Sequence, residues 1–297
     1  MDETNEPIER FDIASWDGPI DAATQARAQT ALEAGHVLLM PHLPFTPLPT
    51  ETRFLTSGAA SGGRKNVSFD PATGKLGGAA PEGEEAVALA AMIDRFGRQA
   101  TTLVSALIPG YASSLERART SFRPIEARGR PQTPRHDDRR LHLDAFPTRP
   151  MKDGRRILRL FSNVATDGST REWQVGEPFE PFAAQFLPRL RRPLPGASWA
   201  QSVLGLTRGK RSRYDEIMMA LHDGAKLDEA WQQRAPKFDV SFPAGSTWMV
   251  FTDQVLHAAL GGRMALEQTF HLPVSALAKP EQAPIRVLER LAGRALA

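Results

Sequence analysis

The 297 residues include no cysteine. That excludes disulfides, thiolate zinc sites, iron–sulfur clusters and a cysteine nucleophile, so any metal must be held by histidine and carboxylate. Histidine is itself scarce, at 7 residues, and each candidate ligand can be weighed singly. Tyrosine occurs only 2 times. Few aromatics therefore interleave with the basic runs to form a base-stacking platform. No apolar run is long enough for a transmembrane helix. The opening residues, Met1-Asp2-Glu3-Thr4-Asn5-Glu6, are acidic and lack an apolar stretch, so no secretion signal is expected.

Hydrophobic residues make up 41% and charged residues 24%, the balance of an ordinary folded protein whose length suits one large domain. The net charge of +3 hides a segregation. Leu115 to Arg159 holds 13 basic and 6 acidic side chains, and Leu187 to Arg213 holds 7 basic and none acidic. Such clustering suggests either a basic surface facing an anionic partner or simply a solvated, arginine-rich one.

Residues 22–35 read as a helix, and 38–48 as a buried strand running into a proline-rich loop. The Ser/Gly-rich stretch 56–66 lacks the GxxxxGK[ST] pattern, so it reads as a loop and not as a phosphate cradle. The clearest helix spans Glu84 to Ile108, with Val87, Met92, Ile93, Phe96, Leu103, Val104 and Leu107 as its apolar stripe and Pro109-Gly110 as its stop. Short strand-like runs follow at Leu141–Ala145, Arg156–Val164, Phe238–Phe242, Thr247–Thr252 and Leu266–Val274, with a helical stretch over 212–234 between them. Ile285–Leu296 forms a basic amphipathic helix, either docked on the body or touching a membrane surface. Helices first and short strands later predict an α+β fold whose strands make a sandwich or barrel.

His-x-Asp occurs twice. His136-Asp137-Asp138 lies in a polar, loop-like stretch, whereas Leu141-His142-Leu143-Asp144-Ala145 alternates strictly. Period two puts His142 and Asp144 on one face of an extended segment, as adjacent metal ligands. A distant histidine should complete the set, and His257, after the run Thr247–Thr252, is the candidate. His271 sits in an apolar run without a partner signal, and His36, His42, His136 and His222 read as structural or exposed. Two histidines and a carboxylate with open positions suit a non-haem Fe(II) oxygenase, although the same donors would serve a zinc hydrolase. The helical HExxH of most zinc proteases is absent.

The block from Asp137 through His142, Asp144 and Pro147, its continuation Gly154–Asn163, and Trp173-Gln174-Val175-Gly176-Glu177-Pro178-Phe179 together resemble the Kdo (3-deoxy-D-manno-oct-2-ulosonic acid) hydroxylases. These are Fe(II)/2-oxoglutarate-dependent dioxygenases that act on the 3-position of Kdo in lipopolysaccharide. The resemblance runs from about Ala22 to the C-terminus. It implies a double-stranded β-helix (jelly-roll) core over 137–275, with a helical insert at about 180–235. Around this core lie a mainly helical part over 1–115 and a C-terminal helix over 276–297, all in one domain. It also implies Fe(II) on His142, Asp144 and His257, with 2-oxoglutarate and O2 as co-substrates.

In the wider superfamily a basic residue some ten to fourteen positions beyond the distal histidine anchors 2-oxoglutarate. None stands there; Arg263 and Arg159 are the two alternatives. Arg159 lies in the apolar run Ile157-Leu158-Arg159-Leu160-Phe161, where a lone guanidinium needs a partner anion. Arg123, Arg149 and Lys152 are candidates for the acidic groups of a Kdo-containing lipopolysaccharide precursor. The expected setting is the cytoplasm, in one reading peripheral to the inner membrane, with no nucleic-acid partner. The same chemistry on another small molecule or a protein, and a non-catalytic nucleic-acid binder, are the rival readings.

Overall fold

The computed structural model describes residues 6–145, 150–190 and 211–296. Two facing sheets build the frame. The larger contains β1 (Ile8–Arg10), β2 (Val37–Met40), β3 (Val67–Asp70), β4 (Lys75–Gly77), β5 (Glu116–Arg123), β6 (Arg156–Asn163), β9 (Thr247–Phe251) and β11 (Ala265–Leu272), in the order β1-β2-β9-β6-β11-β5-β3-β4. The smaller holds β7 (Arg171–Gly176), β8 (Lys237–Phe242) and β10 (His257–Gly261), in the order β10-β7-β8. All pairings are antiparallel except β1 with β2. This is the α+β, jelly-roll-type architecture expected.

Alternation sorts the side chains of the large sheet. On β9, Trp248 and Val250 face the small sheet, while Met249 and Phe251 face the helices. On β6, Phe161 points between the sheets and Leu158 and Leu160 point away. The inter-sheet core is aromatic: Trp248 stacks on Phe242 at 4.0 Å and on Phe161 at 5.2 Å, and Trp173 meets all three edge-on. Behind the large sheet lie α1 (Ala22–Glu33) and α2 (Gly83–Leu107). Helix α2 buries Leu89, Met92, Ile93, Phe96, Ala100, Leu103, Val104 and Leu107. Val87, counted in the stripe from sequence, is 71% exposed.

Helices α3 (Phe179–Phe186), α4 (Arg213–Leu227) and α5 (Glu229–Arg234) fall within the expected insert, and α6 (Pro284–Ala292) ends the chain. The basic helix α6 buries Ile285, Val287 and Leu288 against the body, so its apolar face is already occupied. No helix among the described residues is long and apolar enough to cross a membrane.

The buried strand expected in the run 38–48 is the four-residue β2, and the proline-rich loop follows because Pro41, Pro44 and Pro47 cannot donate to a ladder. The first 115 residues supply β1–β4 as well as the helices α1 and α2. One expectation needs correction. Leu141–Ala145 is no ladder strand: it is an extended segment tied to β10 by one bridge, His142 to His257.

The charge segregation along the chain largely disappears in space. Arg117, Arg123, Arg140, Arg156 and Arg159 all pair with carboxylates, most of them from outside the basic stretch. The second basic stretch lies mostly outside the described residues.

Truncating Trp248, whose indole is fully buried at the centre of the aromatic stack, removes contacts with Phe161, Phe242 and Trp173. Trp248→Ala should cost about 3–5 kcal/mol of stability, seen as a lower urea midpoint. Val87→Ala should leave the midpoint within about 0.5 kcal/mol of wild type.

Candidate metal centre and anion pocket

His142 and His257 face each other across the isolated bridge. The His142 amide donates to His257 O (3.1 Å) and the His257 amide to His142 O (3.0 Å). Two residues on, the Asp144 amide donates to Thr252 O at the end of β9 (2.7 Å). Backbone bonds thus fix both ends of the His-Leu-Asp segment, while Leu141 and Leu143 anchor its other face in the core. The ligand atoms of His142, Asp144 and His257 lie within 4.8 Å of one another.

Both imidazoles are oriented by carbonyls. His142 Nδ1 donates to Arg140 O at 2.7 Å, and His257 Nδ1 donates to Val255 O at 2.9 Å. A carbonyl can only accept, so Nδ1 carries the proton and Nε2 keeps its lone pair for a metal. Burial pushes both histidines below their ordinary value, and for His142 the neighbouring His257 and Lys226 add to the effect. The rings are therefore neutral at neutral pH, as ligation requires. Burial alone would raise the Asp144 carboxyl. Arg159, whose Nη2 stands 3.0 Å from Oδ2, acts with the two histidines and a Thr252 hydrogen bond to outweigh it, and the group is held well below the usual carboxylate range. Two neutral nitrogens and one ionised carboxylate on adjacent positions fit a divalent first-row cation.

Around these ligands lies a pocket of about 200 Å³ lined by Lys65, Asn66, Arg123, Asp138, Arg159, Phe161, Arg171, Trp173, Ala259 and Glu267. One wall is an ionic chain. Arg159 spans Asp144 and Glu267, with Nη1 3.1 Å from Glu267 Oε1, and Arg123 Nε donates to Glu267 Oε2 at 2.7 Å. Burial opposes the Glu267 charge, but the two guanidiniums keep its carboxyl low. Arg171 is buried and gives Nη1 to Gly262 O at 2.7 Å, with no carboxylate partner among the described residues. Burial and the nearby Arg123 pull it down to about 10. Arg159 Nε, Arg171 Nε and Trp173 Nε1 are buried donors without acceptors among the described residues. Trp173 also stacks on His257, with ring centroids 5.3 Å apart. A pocket walled by Lys65, Arg123, Arg159 and Arg171 beside a metal set suits a small dianion.

Of the residues singled out from sequence, His142, Asp144, His257, Arg159 and Arg123 converge here. Arg123 sits with Arg159 on Glu267. Arg263 does not line the pocket: it lies 45% exposed at the turn and pairs with Asp167 at 2.7 Å. Arg149 lies outside the described residues, as does the side chain of Lys152. His222 sits within α4, half-buried, with its ring edge-on to His142 at 5.6 Å. Sequence reading missed Lys65, Asn66, Asp138, Phe161, Arg171, Trp173, Ala259 and Glu267. For Arg171 and Trp173 a signal existed, the alternation Arg-Glu-Trp-Gln-Val of β7.

A two-histidine, one-carboxylate set between the sheets of a jelly roll, beside a buried arginine group, defines a non-haem iron oxygenase of the 2-oxoglutarate-dependent class. Residues 15–295 match the family model described as 3-deoxy-D-manno-oct-2-ulosonic acid (Kdo) hydroxylase, and the chain belongs to that family. It is similar to the crystal structure of the Kdo hydroxylase KdoO, a non-haem Fe(II) α-ketoglutarate-dependent dioxygenase, in complex with α-ketoglutarate and Fe(III). There the TM-score is 0.94 at 43% identity over 98% of each chain. KdoO with cobalt(II) superposes with a TM-score of 0.95 at 44% identity, covering 98% of this chain and 97% of that one. KdoO with succinate and Fe(III) gives 0.94 at 44% identity, with the same coverage. No protein of curated function matches the chain in sequence comparison.

The lowered histidines carry a consequence for the metal-free protein. A group depressed on folding contributes stability above its unfolded value, here 6.5, and that contribution is lost as pH falls. After chelator treatment the thermal midpoint should drop between about pH 7 and pH 5. The His142→Asn/His257→Asn double variant should show a shallower drop, and a flat wild-type profile would overturn the neutrality of the rings.

Proposed function

We propose that the chain is an Fe(II)/2-oxoglutarate-dependent dioxygenase that places a hydroxyl on C3 of the Kdo sugar of a lipid A precursor. The observation that carries this reading is the convergence of His142, Asp144 and His257 within 4.8 Å, beside buried arginines, in a member of the Kdo hydroxylase family. Bound there, iron and 2-oxoglutarate supply the activation of O2, and the products are hydroxylated sugar, succinate and CO2. The protein's own share is binding and orientation. His142 and His257 present Nε2, and Asp144 supplies the anionic ligand while Arg159 shares its charge. The guanidiniums of Arg159 and Arg171 on the pocket wall suit the distal carboxylate of 2-oxoglutarate. Between the two candidate anchors, burial in the pocket favours Arg159 over the exposed Arg263. Phe161 and Trp173 restrict water on the same wall. Such a substrate fits an enzyme of the cytoplasm working beside the inner membrane.

Purified protein with Kdo-lipid A, 2-oxoglutarate and Fe(II) should release succinate and add one oxygen to the Kdo residue by mass analysis. Chelation, His142→Ala or His257→Ala should abolish both. Arg159→Met should raise KM for 2-oxoglutarate about ten- to a hundredfold, the range for losing a hydrogen bond to a charged group. Succinate release with an unchanged Kdo mass would redirect the chemistry to another substrate.

A further inference from the structure

Beside the pocket lies a second group of cations, of which Lys65 lines the wall and which adjoins Arg123. It gathers round Asp138, whose side chain lines the pocket and whose backbone O accepts from the Ala259 amide on β10 at 2.8 Å, two residues past His257. Lys65, just before β3, reaches Asp138 Oδ2 at 2.6 Å, Arg130 reaches it at 3.4 Å, and Lys226 in the last turn of α4 stands 3.9 Å from Oδ1. Three cations thus share one carboxylate, with the Asn66 side chain beside them on the pocket wall.

Lys226 is the informative member. It is 2% exposed, and its ammonium makes no hydrogen bond among the described residues, only the loose pair with Asp138. Burying an ammonium without hydrogen-bonded compensation is costly. A site that collects excess positive charge beside a metal centre, after the co-substrate's carboxylates have been matched elsewhere, is built for a further anion.

We propose that Lys65, Arg130 and Lys226, held by Asp138, form the subsite for the carboxylate of the sugar acid. This rests on the functional reading above and extends it to regioselectivity. In a 3-deoxy-oct-2-ulosonic acid the carboxylate is C1 and the reacting carbon is C3, two bonds away. Fixing C1 on a cluster tied through Asp138 to the strand that carries His257 brings C3 to the metal face and keeps the rest of the chain of carbons outward. A neutral sugar, or one whose acid group lies far from the deoxy carbon, lacks that anchor.

The test compares Kdo-lipid A with its C1-carboxamide analogue in wild type, Lys226→Met and Lys65→Met, measuring KM for sugar and for 2-oxoglutarate separately. Wild type should show a KM about ten- to a hundredfold higher for the carboxamide. Each variant should raise KM for the natural sugar over a similar range, with KM for 2-oxoglutarate changed less than threefold. The double variant should no longer distinguish the two sugars. Equal wild-type KM for acid and amide, or variant effects confined to 2-oxoglutarate, overturns the subsite and leaves the hydroxylase reading standing. Absence of wild-type turnover on Kdo-lipid A overturns both. Lys65 is 41% exposed on its side chain, so Lys65→Met decides the matter if Lys226→Met does not fold.

Discussion

The paired backbone bonds between His142 and His257 are the constraint on which the site depends. His142 belongs to no ladder strand, and without those bonds and the Asp144–Thr252 contact its segment would be a loop end. Two hydrogen bonds convert a loop residue into a fixed neighbour of β10, and everything chemical follows from that placement. Each ring then points inward because its Nδ1 is claimed by a carbonyl of its own segment. Thr252 closes the set from β9, so the two sheets meet at the metal ligands and not merely through apolar packing.

That strand end is itself held by a buried ionic knot. Arg156, fully buried, binds Asp253 and Gln254, and Gln254 reaches Glu33 O at the end of α1. The residues between Thr252 and His257 therefore cannot drift independently of the helical layer. The aromatic stack supplies the complementary stiffness from inside, because Trp173 packs both on the core and on His257. A metal site that tolerates little displacement needs such support on both sides.

Much of the site was legible in the sequence because metal ligation on an extended segment leaves a local mark. His142 and Asp144 share a face at a spacing of two, and with no cysteine and few histidines His257 had little competition. Arg159 announced itself as a charge within an apolar run. What could not be read locally was pairing. Strand β5 carries Arg117, Arg119 and Arg123, so its sequence looks solvated, yet Arg117 and Arg123 find carboxylates on α2 and β11. Glu267 is invisible as a site residue until β6 and β5 flank it. His222 illustrates the reverse case: nothing in its neighbourhood separates an ordinary helical histidine from one whose ring abuts a ligand. The surplus of basic residues likewise misled when read along the chain, since most of it is cancelled across space.

The two cation groups differ in what carries them. Arg123, Arg159 and Arg171, with Glu267, stand on strands β5, β6, β7 and β11, whose registers are locked by neighbours on both sides or by the aromatic core. Lys65, Arg130 and Asp138 stand on connections, and Lys226 on an inserted helix. Connections can lengthen, shorten or change composition without disturbing a ladder. The strand-borne arginines are thus less free to change than the cations round Asp138, whereas His142 and Asp144 share a connection with Asp138. Substitution at Lys65 or Arg130 can alter the charge at the pocket's edge while Arg123, Arg159 and Arg171 keep their register.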